Sequence, residues 1–163
     1  MLTAILDIRN ITYAVKQVCS NKGASGVDGM QTDELRDFMS THWSSLKEAL
    51  QSSNYHPEAV RKVEIPKPRG GTRMLGIPTV KDRLIQQAIS QWMSGLWEQD
   101  FHPNSYGFRP NRNAHQAVLQ AQTYLNEGKT YVVELDLAKF FDVVNHDKLM
   151  SLLSRKIADK STL

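Results

Sequence analysis

The run Tyr131-Val132-Val133-Glu134-Leu135-Asp136-Leu137 constrains the fold of this chain more than any other stretch. Val132, Val133 and Leu135 crowd into so short a segment that it predicts a strand central in a sheet and buried. No second run of this kind occurs, and a central strand needs neighbours. Its partners are expected from a second copy of the chain or from sequence beyond these residues, so the chain reads as a piece of a larger fold. Asp136 falls at the end of this strand, with Phe140, Phe141 and Asp142 close behind. A carboxylate at a strand end, on a rigid element beside a turn, is well placed to hold a divalent metal. The two aromatics are positioned to wall a pocket for a sugar or base. The same residues also fit a plain strand that ends in a turn with a helix-capping acid.

The 163 residues suit one ordinary domain, or one and a part, and a hydrophobic content of 40% argues that it folds. No apolar run approaches the roughly 18 residues of a membrane span. The N-terminus, MLTAILDIRN, is too short and too acidic at Asp7 for a signal peptide. A single cysteine, Cys19, excludes a disulfide framework and a zinc knuckle, and the cytosol is the expected compartment. His42, His56, His102, His115 and His146 fall at no zinc-ligand spacing, and no Ser-His-Asp or Cys-His arrangement is legible.

A net charge of +3 is only mildly basic, but its distribution is uneven. Arg61, Lys62, Lys67, Arg69 and Arg73 face a single acid, Glu64, and Lys81, Arg83, Arg109 and Arg112 follow. A basic central third is the footprint expected of a phosphate-binding surface.

Along the chain, apolar spacing predicts a helix from Leu2 to about Cys19. A loop follows at Asn21–Gly29, with glycines at 23, 26 and 29. Thr32 is expected to cap a second helix that ends near Ser53. Val63 and Ile65 alternate with Lys62 and Glu64 before Pro66-Lys67-Pro68-Arg69-Gly70-Gly71, which predicts a β-hairpin with a basic tip. Thr79 and Asp82 form a capping box for a helix carrying Leu84, Ile85, Ala88, Ile89, Trp92, Met93, Leu96 and Trp97 as a broad buried stripe. Phe101 to Asn113 is a polar loop. Asn113 caps a helix that Gly128 stops, and Asn145 opens a last one.

Two of these stretches carry candidate chemistry. Lys67 offers a point charge and Arg73 a planar fork for phosphate oxygens. The alternative is a solubilising hairpin tip, the reading that fits Arg69. Arg109 and Arg112, flanked by Tyr106 and Phe108 at a helix entry, combine guanidinium donors, stacking rings and helix N-terminal amides, which suit phosphates and bases. The same loop also fits a packed connector in which Arg109 pairs with an internal acid.

Val132–Asp142 resembles the first catalytic motif of reverse transcriptases, and Ile65–Pro78 resembles their fingers hairpin. Phe101–His115 is similar to the second motif of reverse transcriptases encoded by group II introns, with Asn111-Arg112-Asn113 where the pattern often has Gly-Arg-Ser. Asn caps as well as Ser, so the departure touches only the helix cap. Gly23–Gly29 matches the N-terminal extension that lies over template and primer in that family. These matches run in order over about three quarters of the chain.

The resemblance implies an α+β fold: the fingers of a right-hand polymerase, then the opening part of its palm. Residues 1–78 would be the fingers with the N-terminal extension and basic hairpin, 79–145 a partial palm, and 146–163 the start of the return to the fingers. It implies RNA-directed DNA synthesis, with an intron-RNA binding or maturase role, on an RNA template, a DNA primer and dNTPs, by two Mg2+ ions about 4 Å apart. Asp136 is the implied metal ligand, the Leu137 carbonyl a second contact, and Phe141 the ring that blocks a ribose 2′-hydroxyl. Lys67 and Arg73 would bind nucleotide; Lys22, Arg69, Arg109 and Arg112 would bind RNA. Phe140 and Asp142 are assigned to packing and local capping. The family's second metal motif, Tyr-x-Asp-Asp, is absent from these residues, so this piece alone is expected to be inactive. Its uncovered strand is expected to make it pair as a homodimer, and no membrane partner is expected. Two rivals stand beside this reading: a non-catalytic RNA-binding module, and a metal-dependent nuclease or other polymerase with a similar palm.

Overall fold

The computed structural model describes residues 1–68 and 70–159. They fall into two compact units, Met1–Met93 with Asp159, and Ser94–Ala158. Each is described by itself.

The first unit opens with two helices, α1 (Leu2–Ile5) and α2 (Ile8–Ser20), where the apolar spacing predicted one. The break is at Asp7, whose extended backbone and side chain, accepting from Arg9 N at 2.9 Å, cap α2. α3 (Leu35–Gln51) also starts later than its predicted cap. Glu34 takes the Gln31 N–H at 2.6 Å and closes a turn ahead of the helix. Thr32 lies buried in that turn, and its carbonyl accepts from Cys19 Sγ at 3.1 Å. Two antiparallel strands follow, β1 (Arg61–Pro66) and β2 (Thr72–Ile77), in register from Arg61↔Ile77 to Pro66↔Thr72. They form the two-stranded sheet of the described residues.

α4 (Val80–Trp97) is the spine of this unit, and its last four residues belong to the second. Val80, Leu84 and Ala88 sit one turn apart and are buried with Ile5, Leu6, Ile11, Ala14, Val18 and Leu35. Burying each larger aliphatic side chain stabilises the unit by about 1.5–3 kcal/mol. Asn10 ties α2 to α4, donating to Ile5 O at 2.8 Å and Ala88 O at 3.0 Å and accepting from Gln91 at 2.7 Å. Trp92 and Trp43 lie at the edge of this core, partly buried.

The second unit continues from α4 through a 3-10 turn (Glu98–Asp100) to α5 (Ala114–Asn126), α6 (Phe140–Val143) and α7 (His146–Leu153). Asn113 and Gln116 make a reciprocal capping box for α5, and Asn145 caps α7 by accepting from Lys148 N at 2.8 Å. Gly128, at φ +87, ends α5 in a left-handed turn that favours glycine.

The segment Tyr131–Leu137 is not a strand among the described residues. Its side chains stand in solvent, from 71% exposed at Leu137 to 98% at Tyr131. A strand exists only in a ladder, and no described segment pairs with this one. The apolar run was legible; its partner is what the described residues lack. The α+β class holds through the hairpin instead.

Candidate nucleic-acid interface

Four short segments carry the candidate site residues, two in each unit. The hairpin is the first. Its tip closes with Lys67 N donating to Gly71 O at 2.9 Å and Gly70 N to Lys67 O at 3.1 Å. Gly70 and Gly71 both adopt positive φ, a turn that side chains resist. Lys67 and Arg73 are exposed on either side of this turn, and neither forms an ion pair among the described residues. Arg69 lies outside the described residues.

Below the tip, the hairpin's two feet meet one side chain. The buried Asp82 accepts from Thr79 Oγ1 at 2.6 Å and from Tyr55 Oη at 2.6 Å, and from Glu58 N at 3.3 Å. Its own N–H donates back to Thr79 Oγ1 at 3.2 Å, completing the predicted cap. Burial first, then the Asp82 hydrogen bond, push the Tyr55 hydroxyl well above its ordinary pKa. Lys81 pairs with Glu58 on the outside of the same junction.

The glycine loop is seated on that turn. A Cβ on Gly26 would lie 2.6 Å from Thr79 Cα and 2.8 Å from Thr79 N, so only glycine lets the backbones approach this closely. A Cβ on Gly23 would meet Arg83 Nη1 at 2.5 Å, while Arg83 Nη2 donates to Ala24 O at 2.8 Å. Lys22 is exposed just before this seat, at φ 45.

In the second unit, Arg109 uses every guanidinium hydrogen it has. Nε donates to Glu98 Oε1 at 3.1 Å; Nη1 to His102 O and Ser105 O, both at 2.9 Å; Nη2 to Glu98 Oε1 at 2.8 Å and Glu98 O at 3.3 Å. A guanidinium has five N–H groups, so none is left over for a phosphate. The side chain is 7% exposed and stacks over Phe101 at 5.2 Å. Of the two sequence readings of Arg109, this geometry is that of the packed connector paired with an internal acid. Arg112 differs: it is partly exposed and lies over the Tyr106 ring at 5.5 Å. Phe108, at φ 54, is fully exposed.

Asp136, Leu137 and Phe141 form the fourth segment, all exposed. Lys139 takes a left-handed conformation, φ 51 and ψ 35, and starts the short helix α6. This turn leaves Phe141 88% exposed and Phe140 47%, with the two rings edge to face at 5.6 Å. Asp142 donates its backbone N–H to Lys139 O at 2.9 Å, a local role.

Sequence reasoning missed what holds these segments in place. The sequence marks Asp82 as a cap and carries no signal for Tyr55, Glu58 or Glu98. An acid in the first turn is a visible signal, but its partners 24 and 27 residues away are not. No group of three or more His, Cys, Asp or Glu side chains converges among the described residues. Asp136 offers one carboxylate and Leu137 one carbonyl, fewer oxygen ligands than a two-ion site needs. No described helix is long and apolar enough to cross a membrane.

Residues 65–161 match the reverse transcriptase (RNA-dependent DNA polymerase) family. The chain is 40% identical over 165 residues to Protein YkfC of Escherichia coli (strain K12), covering 98% of this chain and 43% of that protein. It is 34% identical over 154 residues to the group II intron-encoded protein LtrA of Lactococcus lactis subsp. cremoris, covering 94% and 25%. It is 28% identical over 160 residues to the putative COX1/OXI3 intron 2 protein of Saccharomyces cerevisiae, covering 98% and 18%. The chain thus spans less than half the length of these relatives. The family match begins in the hairpin, runs through the arginine loop and Asp136, and reaches α7 and beyond, so the chain belongs to the reverse transcriptase (RNA-dependent DNA polymerase) family and groups with its intron-encoded members.

Proposed function

We propose that the protein containing this chain is the RNA-directed DNA polymerase of a group II intron, with a second role in binding and assisting the splicing of its intron RNA. The observation that carries this is the single collinear family match over residues 65–161, which takes in the hairpin cations, the arginine loop and Asp136. In this reading the chain supplies the fingers and the opening of the palm. Its substrates are an RNA template, a DNA primer and dNTPs.

Each exposed group has a part. Lys67 and Arg73, on a flap closed by two glycines, neutralise the triphosphate of the incoming nucleotide. Arg112 and Lys22 contact RNA phosphates, while Arg109 shapes the loop that carries Arg112. Phe141 lies under the sugar and excludes a 2′-hydroxyl by its bulk. Asp136 and the Leu137 carbonyl would hold one metal ion, Mg2+, which would supply charge to polarise the reacting phosphate and activate the primer hydroxyl. A two-ion site needs more oxygen ligands than these two groups supply.

The experiment is primer extension on an RNA template by the full-length protein with Mg2+, comparing parent and Asp136→Ala. A lost metal ligand should reduce extension by more than about a hundredfold, since stabilisation of the transition-state charge goes with it. Activity within about threefold of the parent removes Asp136 from the metal site.

A further inference from the structure

We propose that Asp82 is the positioning residue of the basic hairpin, one buried carboxyl group that pins both of its feet and so fixes where Lys67 and Arg73 stand. The proposal rests on the polymerase reading for the role of those two cations; the anchoring itself rests on geometry alone.

β1 starts at Arg61 and β2 ends at Ile77, and neither strand has a third strand beside it among the described residues. A lone two-stranded hairpin is marginal in water and free to swing about its feet unless something holds them. Asp82 does so from the first turn of α4. Its Oδ1 accepts from Tyr55, and its Oδ2 from Glu58 N; both lie on the segment that enters β1. Its Oδ2 also accepts from Thr79, on the segment that leaves β2. Three donors converge on a side chain that is 4% exposed, next to Thr79 and Val80 at 0%. Buried groups that satisfy one another in this way favour one arrangement: moving Tyr55 away leaves Oδ1 without a donor, and moving Thr79 or Glu58 leaves Oδ2 with one donor in place of two. Val60 closes the same junction over Gly76, where a Cβ would lie 3.2 Å from Val60 Cγ2.

The glycine loop shares this anchor. Gly26 rests directly on the Thr79 backbone, so the loop and the hairpin take their positions from one turn of α4. Asp82 touches neither nucleotide nor template in this account. It acts through the segments it holds.

The test is amide hydrogen exchange across the hairpin, with steady-state primer extension, on the full-length protein and its Asp82→Asn and Tyr55→Phe variants. Asparagine keeps the shape of the side chain, but with one oxygen it cannot accept from Thr79, Glu58 and Tyr55 together. Exchange of the β1 and β2 amides should rise about tenfold in Asp82→Asn and about threefold in Tyr55→Phe, while amides of α2 in the core stay as they are. KM for dNTP should rise by a similar factor with kcat within about twofold, because binding geometry is lost and the reacting groups are intact. Unchanged hairpin exchange in both variants overturns the proposal. So does exchange that rises equally in α2, since Asp82 would then support the whole core and no particular element. A parent protein that fails to extend primers overturns the polymerase reading, and selective loosening of the hairpin would still establish the anchor.

Discussion

Arg109 offers the sharpest separation between a residue that contacts phosphate and one that only builds the loop around it. Arg109→Lys keeps the positive charge and removes the fork. If Arg109 contacts phosphate, lysine should substitute well. If it is the connector seen here, lysine should fail nearly as badly as alanine, because three rotating donors cannot reproduce five fixed ones. The magnitude follows from where the partners lie. The Glu98 side chain is 36% exposed, so its ion pair is screened to about 1 kcal/mol or less. The three carbonyls on Glu98, His102 and Ser105 recover water when the guanidinium leaves, which puts each near the low end, about 0.5 kcal/mol. Stacking on Phe101 adds about 0.5–1 kcal/mol. Together these give a local loss of about 2–3 kcal/mol for Arg109→Ala and about 2 kcal/mol for Arg109→Lys.

Amide exchange at Ser105 and Arg112, whose N–H groups bond inside the loop to His102 O and Arg109 O, reads this loss directly. A loss of about 2 kcal/mol corresponds to exchange roughly thirtyfold faster. RNA binding measured against salt gives the second readout. Arg112→Ala should reduce the slope of log affinity against log salt by about 0.7–0.9, one phosphate contact, whereas Arg109→Lys should weaken binding at every salt concentration with the slope unchanged. Wild-type exchange in Arg109→Lys, together with a flatter salt slope in Arg109→Ala, would refute the reasoning.

Phe141→Ala in the full-length protein should relax discrimination against ribonucleotides by at least about tenfold in kcat/KM, because a missing ring no longer meets a 2′-hydroxyl; unchanged selectivity in a folded variant would return Phe141 to packing. Tyr55 sets an alkaline limit on stability. Below its ordinary value of about 10 the phenol is protonated folded and unfolded alike, and its contribution is fully present; as pH climbs from there toward the raised folded value, the unfolded chain ionises first and stability falls. Urea midpoints at about pH 8 and pH 11 should diverge for the parent more than for Tyr55→Phe. The 163-residue chain should self-associate through Tyr131–Leu137, whose apolar side chains stand exposed with no ladder, and light scattering that returns a monodisperse monomer near 18.5 kDa at high concentration would show the segment needs no cover.

What was legible in the sequence is what neighbours decide. Asn113, Asn145 and the Thr79–Asp82 pair announce helix starts because a cap and its target N–H lie within three residues. The hairpin was readable from alternation and a glycine pair. The break in the first helix is hidden, because Ile5 and Ile8 keep the helical apolar spacing across the capping Asp7. Thr32 looked like a cap and is a buried residue before one, since Glu34 took the turn's N–H instead. The anchors were illegible for a different reason. Tyr55 finds Asp82 across 27 residues and Arg109 finds Glu98 across 11, and no periodicity records which of several tyrosines or acids a fold will bring back. The segment Tyr131–Leu137 lies between these cases: its apolar composition is plain, but a strand also needs a partner, and no described segment pairs with it.

Donor counting separates the scaffold from the working groups in a way that residue type does not. Asp82 and Asp136 are the same side chain. Asp82 is buried beneath three donors, so a cation approaching it would have to enter the core and compete with hydrogen bonds already made to both oxygens. Asp136 is exposed with no hydrogen-bond partner among the described residues, at the end of an apolar segment. A hard cation needs oxygen lone pairs that no N–H has already taken, so of these two carboxylates Asp136 is the one able to serve as a ligand. The arginines divide by the same rule. Arg109 has spent its five hydrogens within its own loop, while Arg73 and Arg112 have no protein acceptor among the described residues for theirs. Within each unit the charges fall into two sets: one saturated, which holds the local backbone, and one without a protein partner among the described residues. Asp136, Arg73 and Arg112, to which metal and phosphate are proposed to bind, all fall on the open side of that division, and the Arg109→Lys and Asp82→Asn variants test its saturated half.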